Sequence, residues 1–488
     1  MSVKVLSTEI RTFPLETLMG SNTQSWAEQE FGNADLGDYR RTRRLIQIAE
    51  QRGCQPNAAI TQSCGGNAAA KAAYRFYENE AISMSAILSS HQQATKTRMS
   101  QESIVLAVQD TTELDYTNHP ATKGLGTLHN KKQQGMLMHT TFAVTPARVP
   151  LGIIHQQIWT RPAAEFGKKH KRKQLPIEEK ESQKWLTSLE ATSHMQKQLP
   201  HTKVVSVGDR EADVYELFAL SHTLSQNVLV RAAWNRKVQH PENYLWAFLE
   251  NQPVAGTLTI TVSRKGKQPA RQAELSIRYA KVTLNPPWRP KPVKLEPITL
   301  WAVLAHEDHP PEGIKENLAV SWLLLTSMPV NSFQEACERI QWYTCRWLIE
   351  IYHKILKSGC RVEERQFATA ENIKRYLAVD DVVAWRVLYL TMLGRQTPHI
   401  PCTAILEVHE WQALYCFIHK TSKPPDELPT LRQATTWIAQ LGGFLGRKGD
   451  GEPGVTVLWR GLQRLHDIVD TWLIFHLPSP ESEYVGKD

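Results

Sequence analysis

The chain has 488 residues, 41% of them hydrophobic, too many for one small core and consistent with two to four domains. Lys plus Arg number 57 against 49 Asp plus Glu, a net charge of +8, which favours a polyanionic partner such as nucleic acid, with a mildly basic protein lacking one as the other reading. The 7 scattered cysteines contain no CxxC pair, no apolar run approaches the ~18 residues of a membrane span, and residues 1–16 lack a signal-peptide core, so disulfide scaffolds, zinc knuckles and membrane spans are excluded and a cytoplasmic protein is expected.

Residues 1–98 read as an N-terminal helical domain. Asp38 is placed to N-cap a helix in which Arg40, Arg41, Arg43 and Arg44 surround the first turns, with Leu45 and Ile48 inward. Positive side chains at a positive helix end are unfavourable without an anion, which points to a DNA phosphate; a solvated basic helix is the alternative. The helix expected from Asn67 to Tyr77 ends in aromatics that suit a core, with a DNA contact as the alternative.

Residues 99–240 alternate differently. Strands are expected at 104–108, 135–144 and 150–159, with Asp110 just past the first, and short connections make them an antiparallel meander. The basic run 168–173 reads as a solvated loop or a phosphate contact. A helix over 178–198 precedes a strand at 203–207, which ends at Asp209; a helix from about Glu211 and a strand at 228–234 follow.

Residues 241–325 read as a β-rich insertion with alternating strands at 257–262, 273–279 and 298–304 and a last strand at 321–326. Within it, His306 to His309 tempts a metal reading, but the adjacent prolines favour a solvated loop.

Residues 326–397 should carry one helix over 341–357, free of Gly and Pro, and another over 372–393. In the first, Tyr343, Arg346, Glu350, Lys354 and Lys357 are spaced 3, 4, 4 and 3, so they share a face, while Ile340, Trp347, Ile351 and Ile355 form a neighbouring stripe that can face a core. The last segment, 398–488, is expected to hold a proline-bearing linker and a helical hairpin, 433–440 and 458–473. Its stripe of Leu458, Leu462, Leu465, Val469 and Leu473 suits either its own domain or a second subunit.

A three-strand meander followed by helix, strand, helix, strand and helix is the order of a ribonuclease H-like α/β fold. In that order Asp110 and Asp209 end neighbouring strands, where open α/β sheets place their sites, and Glu350 reaches both from a later helix. Clustered carboxylates need a compensating cation, and hard oxygen ligands suit Mg²⁺ or Mn²⁺. Two such ions about 4 Å apart would serve a phosphodiester reaction, and Arg346, Lys354 and Lys357 would hold its phosphates. Glu113, Asp115 and Asp213 are rival acids, ranked lower because a helix start or an exposed turn explains each.

Gln109-Asp110-Thr111-Thr112, Gly208-Asp209-Arg210-Glu211-Ala212-Asp213 and the series Tyr343, Arg346, Glu350, Lys357 together resemble the DDE transposases of bacterial insertion sequences with the Y-R-E-K signature. The similarity extends to Leu36-Gly37-Asp38, Ala73-Tyr74-Arg75-Phe76, Glu179-Lys180-Glu181-Ser182 and Leu441-Gly442-Gly443-Phe444, nearly the whole chain. It implies a cut-and-paste enzyme acting as a homodimer on double-stranded transposon ends through a hairpin intermediate and joining them to target DNA. By the same resemblance the N-terminal domain reads the terminal sequence and the C-terminal hairpin dimerises. Trp322 would stack on a flipped base, Tyr343 and Arg346 would grip the adjoining phosphate, and Arg231 and Arg210 would contact DNA near the cut. The basic run 168–173 is no part of that pattern. A structure-selective metal nuclease on the same fold and a non-catalytic DNA-binding relative are the alternatives.

Overall fold

The computed structural model describes residues 24–162, 175–262, 271–288, 295–311 and 319–476; the basic run 168–173 lies outside them. The fold is mixed α/β, with one large sheet and helical regions. In chain order the elements are α1 (Trp26–Phe31), α2 (Tyr39–Cys54), α3 (Ile60–Ser63), α4 (Asn67–Glu78) and α5 (Met84–Met99); β1 (Ile104–Asp115), β2 (Gly126–Thr127), β3 (Gln134–Val144) and β4 (Pro150–Trp159); then α6 (Gln183–Lys197), β5 (Lys203–Gly208), α7 (Tyr215–Leu224), β6 (Asn227–Arg231) and α8 (Leu245–Glu250). They continue with β7 (Gly256–Val262), β8 (Arg271–Leu284), β9 (Ile298–His306), β10 (Ser321–Thr326), α9 (Phe333–Thr344) and α10 (Trp347–Lys354), and finish with α11 (Ala370–Gln396), α12 (Val408–His419), α13 (Leu431–Leu441) and α14 (Val455–His476).

The chain divides into two compact units. Among described residues the first comprises 92–353 and 368–370, and the second 24–91, 354–367 and 371–476.

The first unit is built on the sheet. Its strands lie in the order β2-β3-β1-β5-β6-β10-β9-β8-β7, with β4 on β3. β1, β3 and β4 form the expected antiparallel meander, while β1, β5 and β6 run parallel. Val105, Leu106, Ala107, Val108, Val204, Val205 and Val207 are fully buried, as strands covered on both faces require. The residues read as an insertion continue this same sheet: β10 pairs antiparallel with β6, and β9, β8 and β7 follow. Residues 307–311, after His306, are a loop with Asp308 and His309 exposed, as expected, and Glu307 alone among them is buried. This glutamate is 2% exposed, pairs with Arg271 and accepts the Val320 N–H at 2.9 Å.

The second unit is helical. Asp38 caps α2 as expected, accepting the Arg40 N–H at 2.9 Å, and Leu45, Ile48 and Ala49 are buried. Arg52, near the end of α2, is 1% exposed and bonds to the Asp380 carboxylate of α11 at 3.0 and 2.8 Å. Helix α12 occupies the stretch read as a linker; Glu407 and Glu410 close its first turn as a capping box. In the hairpin of α13 and α14 most of the apolar stripe is buried within its own unit: Leu458, Leu462, Leu465 and Val469 are each at most 7% exposed, while Leu473 is half-buried. The two helices meet at glycines. A Cβ on Gly461 would overlap the Ile438 carbonyl, and one on Gly442 would overlap that of Val457. Gly461→Ala is therefore expected to destabilise this unit by about 2–3 kcal/mol, read as a lower urea midpoint; an unchanged midpoint would mean that the helices separate readily.

Candidate active site

Asp110 lies inside β1, which runs on to Asp115, and not past its end as the sequence suggested. What ends early is the parallel ladder: β1 and β5 stay paired only as far as Val108 and Val207. Beyond that point Asp110 stands in register with Thr140 of β3. From the opposite face of β1, Gln109 ties β5 in place through a 2.5 Å hydrogen bond to Ser206. Asp209 follows β5 directly and caps a 3-10 turn, Arg210–Ala212, accepting the Glu211 N–H at 2.8 Å.

Glu350 comes from α10. The expected single helix over 341–357 is two helices and a π turn: α9 ends at Thr344, α10 begins at Trp347, and residues Ile355–Gly359 wind as a π turn. Of the stripe meant for the core, Ile340 and Ile355 are fully buried and Ile351 is half-buried, but Trp347 departs from it. Trp347 is 48% exposed, and α10 instead buries Leu348, Ile349, Tyr352 and His353. Tyr352 stacks on Phe142 of β3, ring centroids 4.8 Å apart. Phe142 lies two residues from Thr140 and so shares its sheet face. That contact seats α10 over the face from which Asp110 projects.

Arg346, in the break between α9 and α10, joins the acids. Its Nη2 donates to Glu350 Oε1 at 2.5 Å, and its Nη1 lies 3.8 Å from Asp110 Oδ2. The Asp110 carboxyl is pushed up from 3.8 to about 6, first by burial; Arg346 pulls it down, while Asp209 and Glu350 push it up further. Asp110 therefore feels both of the other acids. As the side chains stand, no three His, Cys, Asp or Glu among the described residues are close enough to hold a metal ion. In kind, though, three carboxylates with an excess of negative charge are the donor set of a hard divalent cation.

A cationic and aromatic border adjoins Arg346. Tyr343, at 7% exposed, meets Trp322 with ring centroids 5.9 Å apart. Trp322 is itself 6% exposed, packed at rest rather than open to a base. Arg231 ends β6 and donates to the Ser321 carbonyl at 2.9 Å, with the Tyr343 side chain near its guanidinium. Burial pulls its guanidinium down, with Arg210 and Arg346 adding repulsion. Arg210 is exposed. No spacing in the sequence signalled that Arg231 lies near Tyr343.

The rival acids are occupied elsewhere. Asp213 is 2% exposed and accepts the Ala233 and Trp234 N–H groups and the Arg236 guanidinium. Asp115 holds a turn through Thr117 and Gln133, and Glu113 pairs with Arg161 at 3.4 Å.

The remaining candidates belong to the second unit. Lys354 is exposed at the end of α10, and Lys357, in the π turn, pairs with Glu363 at 3.0 Å. On α2, Arg40 and Arg43 are exposed and Arg41 and Arg44 half-buried. Arg40 pairs with Asp38 at 2.9 Å, and Arg41 donates to the Leu36 carbonyl at 2.8 Å.

Two family models match the chain. Residues 23–82 match Transposase DNA-binding, and residues 382–473 match the Transposase Tn5 dimerisation domain. A cryo-EM structure of the piggyBac transposase synaptic complex with hairpin DNA is similar at 11% identity and a TM-score of 0.31. The alignment covers 82% of this chain and 62% of that one, so this chain spans under two thirds of its length. The two matched segments lie at the N-terminal and C-terminal ends of the described chain, outside the residues that carry Asp110, Asp209 and Glu350. No helix among the described residues is long and apolar enough to cross a membrane.

Proposed function

We propose that the chain is a cut-and-paste DNA transposase of the DDE type with the Y-R-E-K signature, acting through a ribonuclease H-like core. The observation that carries this reading is the approach of Asp110 and Glu350 to one guanidinium, Arg346, with Asp209 close enough to raise the Asp110 carboxyl. The strand order β4-β3-β1-β5-β6, antiparallel then parallel, supports the ribonuclease H-like assignment.

Asp110, Asp209 and Glu350 would hold two Mg²⁺ or Mn²⁺ ions. Bound there, such ions would activate a water or 3′-OH and stabilise the leaving oxygen of a phosphodiester. The chain's own groups bind and orient. Arg346, Lys354 and Lys357 take phosphate oxygens, Arg231, Arg210 and Tyr343 border the cut strand, and Arg40, Arg41, Arg43 and Arg44 follow the end sequence. The substrate is double-stranded DNA, transposon terminal repeats and target, held by a homodimer. The exposed Ile474 and Phe475 at the end of α14 suit such a contact.

The test uses a linear duplex with matched inverted ends. Asp209→Ala and Glu350→Ala should each cut cleavage by at least about 10³-fold, with end binding kept in a gel-shift assay. Near-normal cleavage by either variant would remove that residue from the site, and cut products without joining would make the enzyme a simple nuclease. Trp322→Ala should spare the first nick and lower the yield of hairpin ends, because a flipped base would lose its stacking partner. An unchanged hairpin yield would leave Trp322 with a packing role alone.

A further inference from the structure

We propose that Arg346 is an internal counter-cation that keeps the acid site closed to divalent metal until a DNA phosphate draws it away. The inference rests on the metal-dependent reading above and deepens it. Arg346 is 14% exposed and spans two acids, at 2.5 Å from Glu350 and 3.8 Å from Asp110. A metal ion and a guanidinium seek the same carboxylate oxygens, so each excludes the other. That competition accounts for carboxylates of the right kind that do not stand at metal-holding spacing.

The position of Arg346 suits such a device. It lies at Cys345–Arg346, between two helices, so its side chain can change partner without unwinding either one. A planar guanidinium matches phosphate with the same two-pronged geometry it offers a carboxylate. A phosphate that takes Arg346 leaves Asp110 and Glu350 without their cation, and metal affinity then rises. Because the coupling is reciprocal, metal also strengthens phosphate binding. The chain would thus hold metal poorly, and cut little, until DNA is seated.

The experiment measures Mn²⁺ binding to the full chain without DNA, by electron paramagnetic resonance of the unbound ion. Arg346→Gln should bind Mn²⁺ at least about tenfold more tightly than the parent chain. Arg346→Lys, which keeps the charge but lacks the two-pronged head, should fall between. Adding Asp209→Asn to Arg346→Gln should abolish the gain. Equal or weaker binding by Arg346→Gln, with a site still lost on Asp209→Asn, overturns the inference and leaves the metal reading standing. If no form shows an Asp209-dependent site, the metal reading itself fails. Should Arg346→Gln not fold, parental affinity in Arg346→Lys overturns the inference by itself.

Discussion

Replacing Asp110 by Asn is expected to abolish DNA cleavage and, in the same protein, to raise the melting temperature measured in EDTA. The two effects have one origin. The Asp110 carboxyl is pushed up to about 6 by burial and by Asp209 and Glu350, against an ordinary 3.8. A raised acid favours the fold in its protonated form. Its contribution is therefore fully present below pH 3.8 and is lost as pH rises through about 6. Above that, the metal-free protein carries a cost of about 2–3 kcal/mol. Asn has the same shape and no charge, so it relieves that cost at pH 7.5 and should add roughly 5 °C. The gain should shrink as the pH is lowered toward 4. Cleavage should fall by at least about 10³-fold, because an amide is a poor ligand where an anion is needed. Lost cleavage with no thermal gain would mean that Asp110 is not strained by its neighbours. Retained cleavage would take Asp110 out of the site.

The second large effect is structural. Asp380→Ala should destabilise the helical unit by about 3–5 kcal/mol, seen as a lower urea midpoint. Asp380 is fully buried and receives Arg52 at 2.8 and 3.0 Å together with the Tyr376 hydroxyl. Arg52 also donates to the Ala58 carbonyl at 2.7 Å, so the pair fastens α2 and the loop after it to α11. Removing the carboxylate leaves a guanidinium buried without a counter-charge, which is worse than having neither group. Replacing both, Arg52→Met with Asp380→Leu, should recover most of the loss. Added salt should change little, since buried charges are poorly screened. A single variant within about 1 kcal/mol of the parent chain would show that water enters to replace the lost partner.

The candidate site is legible in the sequence because its aspartates follow short apolar runs whose burial leaves few alternatives. Val105–Val108 and Val204–Val207 suit only covered strands, and an acid soon after each must lie where that cover stops. The meander then follows from connection length alone. The break at Cys345–Arg346 is not legible, since every residue from Gln341 to Lys357 tolerates a helix and none demands its end. The interruption is set by how α9 and α10 pack, with Cys345 buried and Trp347 turned outward. It turns Trp347 out of the expected stripe, while Ile340 and Ile355 stay buried. The pairing of Arg346 with Glu350 survives, because four residues still separate them across the start of α10. The attachment of β10 to β6 is equally hidden: alternation marks a strand but not its neighbour. Helix α12 is obscured by the prolines on either side of it.

One detail of the sheet bears on how the site can move. The backbone ladder between β1 and β5 ends at Val108 and Val207, so beyond it the backbone of Asp110 pairs with β3, and the Gln109 side chain links it to Ser206 of the strand that leads into Asp209. The two aspartates can thus draw together or apart by side-chain rotation and a slight flexing of strand tips. No rung of the β-ladder need be broken, and adjustment to an incoming substrate would leave the scaffold's stability almost untouched.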